Sequence, residues 1–274
     1  MNNLTQRTIT GAALALIITF LLSWKAGGFI LLVLTLNLLT LLEFYRLFHA
    51  AGLRPIKTGG ILLSTLMIMT CALTISKYME PKILLVNIPI AFGIFIAELF
   101  RREPNPFHNL AFTFLGILCI TVPLCFFVII AYLPVGSGLY HPNVALGYFL
   151  ILWADDSAAY FTGKAFGAHP LFQRVSPRKT WEGSIGGAAC ALLVAYLVSL
   201  YFSGQHMMVW MGMAMTIVVT GTFGDLIKSL MKRSLNIKDS GTILPGHGGM
   251  LDRFDSLLGS APFVFCYFVL LDKL

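Results

Sequence analysis

Charge is what this sequence of 274 residues has least of. Asp, Glu, Lys and Arg together make up 11% of it, where a water-soluble domain carries about 25%. So little polar surface cannot cover a water-facing globule, which argues against a soluble fold and leaves a bilayer as the solvent. Cysteine is sparse and unpatterned. Cys71, Cys119, Cys125, Cys190 and Cys266 each lie in an apolar run. They form neither a C-x-x-C pair nor a Cys/His cluster with zinc spacing, so they read as small buried hydrophobes. The alternation that a membrane barrel needs is missing, as are inverted repeats, low-complexity tracts and linkers. The first apolar run passes through Leu22-Ser23-Trp24-Lys25 without a small-residue cleavage pattern. It therefore reads as a retained span rather than a signal peptide.

Long hydrophobic runs are abundant: 57% of residues are hydrophobic and the mean hydropathy is +0.82. A spanning helix needs about 20 mostly apolar residues. Runs of that kind occur at Thr8–Trp24, Ala26–Leu47, Gly59–Ser76, Ile83–Phe100, Leu110–Leu133, Ala145–Phe166, Gly183–Phe202, Met207–Leu230 and Leu257–Leu271. The spans must be helical, because open strands would leave backbone groups unpaired in lipid. The expected fold class is an all-α polytopic membrane protein with about nine transmembrane helices in one integral-membrane domain. Its N-terminal half, to about residue 144, is chemically quiet, and its C-terminal half, from about 145 to 274, is not.

The basic residues sort by side. With the N-terminus placed in the cytoplasm, Lys25, Lys77, Lys82 and Lys273 fall on the far side, and all the other Lys and Arg fall on the cytoplasmic side. Positive residues stay inside, so the N-terminus is expected in the cytoplasm and the C-terminus in the periplasm of a bacterial inner membrane. The formal net charge of +7 then faces anionic headgroups and anionic nucleotides. Nothing in this distribution calls for nucleic acid.

Eight of the 12 acidic residues lie from Asp155 onward. Asp155, Asp156, Asp225 and Asp252 sit in or against spans. A carboxylate there costs a few kcal/mol and marks a functional site by default. On a helix, Asp225, Lys228, Ser229 and Lys232 share one face, as do Asp156, Tyr160, Gly163 and Lys164. After the first set come Arg233, Lys238-Asp239, and the run from Pro245 through His247-Gly248-Gly249 to Asp252-Arg253-Phe254-Asp255. Glycines let the backbone approach an anion closely. Carboxylates without thiolates suit a hard cation, and Lys and Arg suit phosphate. The outfit is that of phosphoryl or nucleotidyl transfer. Asp252 and Asp255, three apart, are expected on one face at the start of the last span. Upstream, Pro177 is expected to restrict a turn in Ser176-Pro177-Arg178-Lys179-Thr180-Trp181-Glu182-Gly183. Ser176, Lys179 and Thr180 offer donors to phosphate, while Thr180 and Glu182 read equally as a helix start. A transporter would instead hold its carboxylates near the midplane within an inverted repeat.

The run Ser229-x-x-Lys232-Arg233, Lys238-Asp239-x-Gly241, Leu244-Pro245-x-His247-Gly248-Gly249-Met250-x-Asp252-Arg253-Phe254-Asp255 resembles the signature of the phosphatidate cytidylyltransferases. Asp156-Ser157-x-Ala159-Tyr160-x-x-Gly163-Lys164 and Ser176-Pro177-x-Lys179-Thr180-x-Glu182-Gly183 resemble that family too. Asp155 lies outside the pattern. The resemblance implies transfer of cytidylate from CTP to phosphatidic acid in phospholipid biosynthesis, giving CDP-diacylglycerol and pyrophosphate. It also implies a divalent metal, Mg²⁺ or Mn²⁺, with K⁺ as a candidate second ion, and a homodimer in the lipid bilayer. Asp225 and Asp252 then become metal-site carboxylates and, with Lys232, Arg233 and Asp255, the catalytic set. Asp156, Tyr160, Lys164, Ser176, Lys179, Thr180, Glu182, Ser229, Lys238, Asp239, His247, Gly248, Gly249 and Arg253 become substrate-binding residues. Attack by a phosphate oxygen needs no strong base, so His247 is not needed to remove a proton, and orienting a phosphate oxygen, assisting as an acid and a structural place in the loop stay open to it.

Overall fold

The computed structural model describes residues 3–133, 137–202, 205–235, 237, 241 and 248–271, with side chains from residue 10 onward. Lys238, Asp239 and His247 lie outside the described residues. The chain divides into two compact units: Met1–Tyr140 with Asp239–Arg253, and His141–Lys238 with Phe254–Leu274.

The first unit holds α1 (Asn3–Trp24), α2 (Ala26–Ala50), α3 (Lys57–Ile75), a 3-10 turn (Pro81–Val86), α4 (Asn87–Phe100), α5 (Pro106–Gly116), a π-helical turn (Ile117–Thr121) and α6 (Val122–Ile130). Helices α5 and α6 run on through the π-helical turn. Pro123 follows that turn; lacking an N–H, it cannot continue the regular ladder. Buried Asn37 of α2 is satisfied sideways. It donates to Ser64 of α3 (3.0 Å) and accepts from Thr121 (2.8 Å), joining three helices through a polar chain in apolar surroundings. Tyr45 packs against Gly116 and donates its hydroxyl to the Thr113 carbonyl, 2.8 Å away. At the loops, Glu98 accepts from Arg101 (2.7 Å) and Asn109 (2.9 Å), and Asn109 accepts the Arg54 N–H (2.8 Å). This network accounts for a buried acid and three polar partners that hydropathy alone leaves unexplained.

The second unit holds α7 (Pro142–Phe166), a hairpin of β1 (Pro170–Phe172) and β2 (Ser176–Thr180), α8 (Trp181–Tyr201), α9 (Met207–Ser234) and α10 (Asp255–Leu270). The hairpin is antiparallel, pairing Pro170 with Thr180 and Phe172 with Ser176. The all-α expectation fits the fold, to which this hairpin adds one small sheet among the described residues. One expectation is corrected: Pro177 lies within a strand rather than the turn, which is made by residues 173–175. A two-stranded sheet is all edge, so a proline without an N–H is tolerated there. Small residues bring the helices together. A Cβ on Gly224 of α9 would meet the Gly259 Cα of α10 at 2.6 Å, and a Cβ on Gly183 of α8 would meet the Ala159 carbonyl of α7 at 2.8 Å. Close backbone approach of this kind is how helices associate where lipid removes the hydrophobic drive between them. Tyr148 and Ser260, hydroxyl to hydroxyl at 2.6 Å, tie α7 to α10.

Among the described residues, six helical stretches are long and apolar enough to cross a membrane: Ala26–Ala50, Lys57–Ile75, Pro81–Phe100, Pro106–Ile130, Trp181–Tyr201 and Met207–Ser234. Thr10–Trp24 and Asp255–Leu270 are shorter apolar helices. Helix α7 is long enough but carries Asp155 and Asp156 in its course. Large apolar side chains such as Phe20, Phe92, Leu99, Leu193 and Ile227 point outward. Outward apolar faces on helices of this length belong to a multi-pass membrane protein.

Candidate active site

A cavity of about 490 Å³ opens in the second unit. Its walls come from the C-terminal half of α7 (Asp155, Asp156, Ala159, Tyr160, Gly163, Lys164), from β2 (Arg178, Lys179, Thr180), from the first turn of α8 (Gly183, Ser184), from α9 (Thr222, Asp225) and from Ser256 of α10. Helical periodicity explains how α7 contributes. Residues 156, 160, 163 and 164 repeat at three and four, so one face of the helix becomes one wall. The hairpin brings in the cations. Strand β2 runs straight into α8, and Thr180 ends the strand and caps the helix, accepting the Gly183 N–H at 3.1 Å. Two helices, α8 and α10, present residues of their first turns to the cavity, and such ends favour anions.

The charges in the walls are mixed. Lys179 forms an ion pair with Asp225. Ser229, one helical turn on, donates to the other oxygen of the same carboxylate at 3.3 Å, and Lys232 lies near enough to act on its charge. Asp255, buried at the start of α10, is within hydrogen-bonding reach of Asp225 and feels the charge of Lys228. Ser256 meets Asp156 at 3.4 Å. Asp155, only 8% exposed, packs against Gly187 of α8, where no side chain would fit. Carboxylates from two helices, α7 and α9, and cations from two elements, α7 and β2, thus converge on one open space. That arrangement suits a ligand bearing several phosphates together with a hard cation.

The expected site residues divide by unit. Asp156, Tyr160, Lys164, Lys179, Thr180 and Asp225 line the cavity. Ser229, Lys232 and Asp255 are not part of the lining but act on Asp225. Arg233 is exposed at the end of α9, with its guanidinium toward the Ile237 carbonyl at 3.5 Å. Ser176 begins β2 away from the lining. Glu182 turns to the hairpin instead: it pairs with His169 at 2.5 Å and accepts the N–H groups of Ala168 and His169. Gly248, Gly249, Asp252 and Arg253 belong to the first unit. Gly248 sits at φ +87°, a conformation open to glycine, which explains that residue in the motif. The shared helix face expected for Asp252 and Asp255 does not form. Residues 251–254 make a turn, α10 starts only at Asp255, and Asp252 stands outside the helix.

Several residues escaped the sequence reading. Thr222 lies three residues before Asp225, and extending that polar face by one step would have found it. Arg178, Ser184 and Ser256 join the lining through packing that no spacing rule reports, and Asp155, marked as an in-span acid with no role assigned, joins it too. Glu43, an acid within the apolar run of α2, satisfies the same criterion that marked Asp225 and was passed over with the rest of the first half.

The comparisons with known proteins agree with this chemistry. The cytidylyltransferase family model matches residues 5–271. The chain is similar to a phosphatidate cytidylyltransferase of Staphylococcus aureus, 32% identical over 262 residues, which covers 93% of this chain and 95% of the relative. Relatives of the same name from Staphylococcus epidermidis and Staphylococcus haemolyticus are 34% and 33% identical over 259 residues, with the same coverage. A match that takes in both units, and both the cavity and the glycine-rich segment, leaves one assignment: the chain belongs to the cytidylyltransferase family.

Proposed function

We infer that the protein is a phosphatidate cytidylyltransferase, an enzyme that converts CTP and phosphatidic acid into CDP-diacylglycerol and pyrophosphate. The observation that carries this reading is the near full-length likeness to relatives of that name. The cavity supports it with a matching chemistry. A phosphatidate phosphate oxygen attacks the α-phosphorus of CTP, and the bond to the bridging oxygen breaks, so that pyrophosphate leaves with the electron pair. Two anions must meet, and Lys164, Arg178 and Lys179 offer positive charge to their phosphates. Lys179, now paired with Asp225, can turn from that carboxylate to an arriving phosphate.

The residues fit a divalent cation such as Mg²⁺ or Mn²⁺: the lining offers carboxylate oxygens and hydroxyls, with neither thiol nor imidazole. Among the described residues no group of three or more His, Cys, Asp or Glu is arranged to hold a metal. Mg²⁺ commonly takes only one or two carboxylates and fills its shell with phosphate and water oxygens. Asp225 and Asp252 are proposed as those carboxylates, on the strength of the family resemblance. When bound, the cation would neutralise phosphate charge and polarise the α-phosphoryl group. K⁺ as second ion, the homodimer and the role of Lys238, Asp239 and His247 belong to the same proposal.

The proposed topology has about nine spans, counting α1, α7 and α10 with the six long apolar stretches, in a bacterial inner membrane. The distribution of Lys and Arg supports a cytoplasmic N-terminus and a cytoplasmic active site. The test is a radiolabel assay on detergent-purified protein given phosphatidic acid, labelled CTP and Mg²⁺. Label in the organic phase that EDTA abolishes and labelled UTP does not give is the expected result. Folded protein that yields no lipid-phase label overturns the reading.

A further inference from the structure

Glu43 is a buried charged group in the first unit that the reaction scheme leaves without a task. It lies in α2 between Leu42 and Phe44 and is only 2% exposed. An acid buried among apolar helices costs a few kcal/mol unless its surroundings offset that cost. Here they come from the glycine-rich segment, which groups with the first unit. The Leu251 N–H donates to Glu43 Oε2 at 3.1 Å. The other carboxylate oxygen fills the place of a side chain at Gly241, where a Cβ would stand 2.6 Å from Oε1. Gly248 lies beside the same backbone, near the Gly241 carbonyl and Asp252 Oδ2, each at 3.9 Å from a Cβ position on it. One carboxylate therefore bonds the backbone at Leu251, immediately before Asp252 and Arg253, and packs against it at Gly241, 10 residues earlier.

We propose that Glu43 is a positioning residue for nucleotidyl transfer: its carboxylate clamps the backbone at Gly241 and Leu251 and so sets the orientation of Gly248, Asp252 and Arg253. This rests on the reading of the chain as a phosphatidate cytidylyltransferase. Position 241 must then be glycine because the acid occupies its side-chain space, and the acid must be long enough to reach from α2. The clamp also gives the N-terminal half a part in the chemistry. A buried carboxylate that accepts a backbone N–H makes a charge-assisted bond, stronger than a neutral one and suited to fixing a loop. Losing such a support typically lowers activity on the order of 10- to 100-fold without removing the site.

The experiment uses the full chain in detergent, with Glu43→Gln, Glu43→Ala and Gly241→Ala compared with wild type. Two readouts are taken: kcat and KM for CTP, and hydrogen exchange in peptides containing Leu251. Glu43→Ala is expected to lower kcat by ~10-fold or more with KM changed less, and to speed exchange at Leu251. Glu43→Gln keeps an acceptor for the Leu251 N–H and is expected to recover most of the exchange protection and part of kcat. Gly241→Ala, which leaves the acid in place, is expected to reproduce the kcat loss. Folded Glu43→Ala with kcat within twofold of wild type overturns the proposal, as does unchanged exchange at Leu251. If Glu43→Ala does not fold, unaltered kcat in both Glu43→Gln and Gly241→Ala overturns it as well. Failure of wild type to label lipid overturns the functional reading instead, and the exchange at Leu251 still reports on the clamp.

Discussion

Asp225 shows how one side chain collects its surroundings. Its own helix supplies Ser229 one turn away, and the hairpin supplies Lys179. Asp225→Asn keeps the size and loses the charge, so it is expected to abolish turnover while the protein still inserts and folds. Activity close to wild type in folded Asp225→Asn membranes would remove the residue from the metal site. Lys179→Gln tests the other half of the pair. A hydrogen bond to a charged group is worth about 1.5–3 kcal/mol, which corresponds to roughly 10- to 100-fold in kcat/KM. Steady-state kinetics with varied CTP should show that loss, and a change under twofold would assign Lys179 to structure alone. The helical faces of α7 and α9 were legible at this scale because 3.6-residue periodicity places residues three and four apart together. Lys179 was legible as phosphate chemistry, but its position was not, since it depends on a hairpin whose strands are too short to announce themselves. Asp252 was legible as an acid near a span, and was misread as helical because the turn before α10 leaves no periodic signal.

Elements meet here through small residues and caps. Thr180 closes β2 and opens α8, so its hydroxyl serves both the helix end and the cavity wall. Thr180→Ala is expected to cost about 1 kcal/mol of stability, and Thr180→Ser to restore it. A thermal unfolding series in detergent measures both, and equal melting of Ala and wild-type proteins would deny the cap a role. The crossing of α9 and α10 depends on Gly224 and Gly259, where even a methyl group would stand 2.5 Å from a facing Cα. Gly259→Leu is expected to force the helices apart at a cost of about 1–3 kcal/mol, lowering the melting temperature and, because Asp225 and Asp255 sit beside that crossing, turnover too. A variant as stable and active as wild type would show that the crossing tolerates separation. Helix positions were readable from hydropathy to within a few residues, whereas the partner of each helix was not, because apolar faces in lipid carry no preference for one another.

At the scale of the whole chain, the distribution of positive residues predicts sidedness. In a cysteine-free background, a single cysteine placed at Arg174 in the hairpin turn is expected to react with a membrane-impermeant thiol reagent only in inside-out vesicles. Reaction in intact spheroplasts would invert the proposed orientation and move the cavity to the other face. The native thiols are free cysteines, so their replacement removes no disulfide.

Composition alone determined the solvent, because a chain with 11% charge cannot satisfy water over its surface. Spacing alone determined which acids and cations lie on common helical faces, because that geometry is local. Only the tertiary structure decided that Asp155, Thr222 and Ser256 join Asp225 in one cavity, that β2 delivers Lys179 to it, and that the Leu251 N–H meets Glu43. Each of those depends on contacts between residues far apart in the chain, set by which backbones can approach closely enough, and no local pattern encodes that.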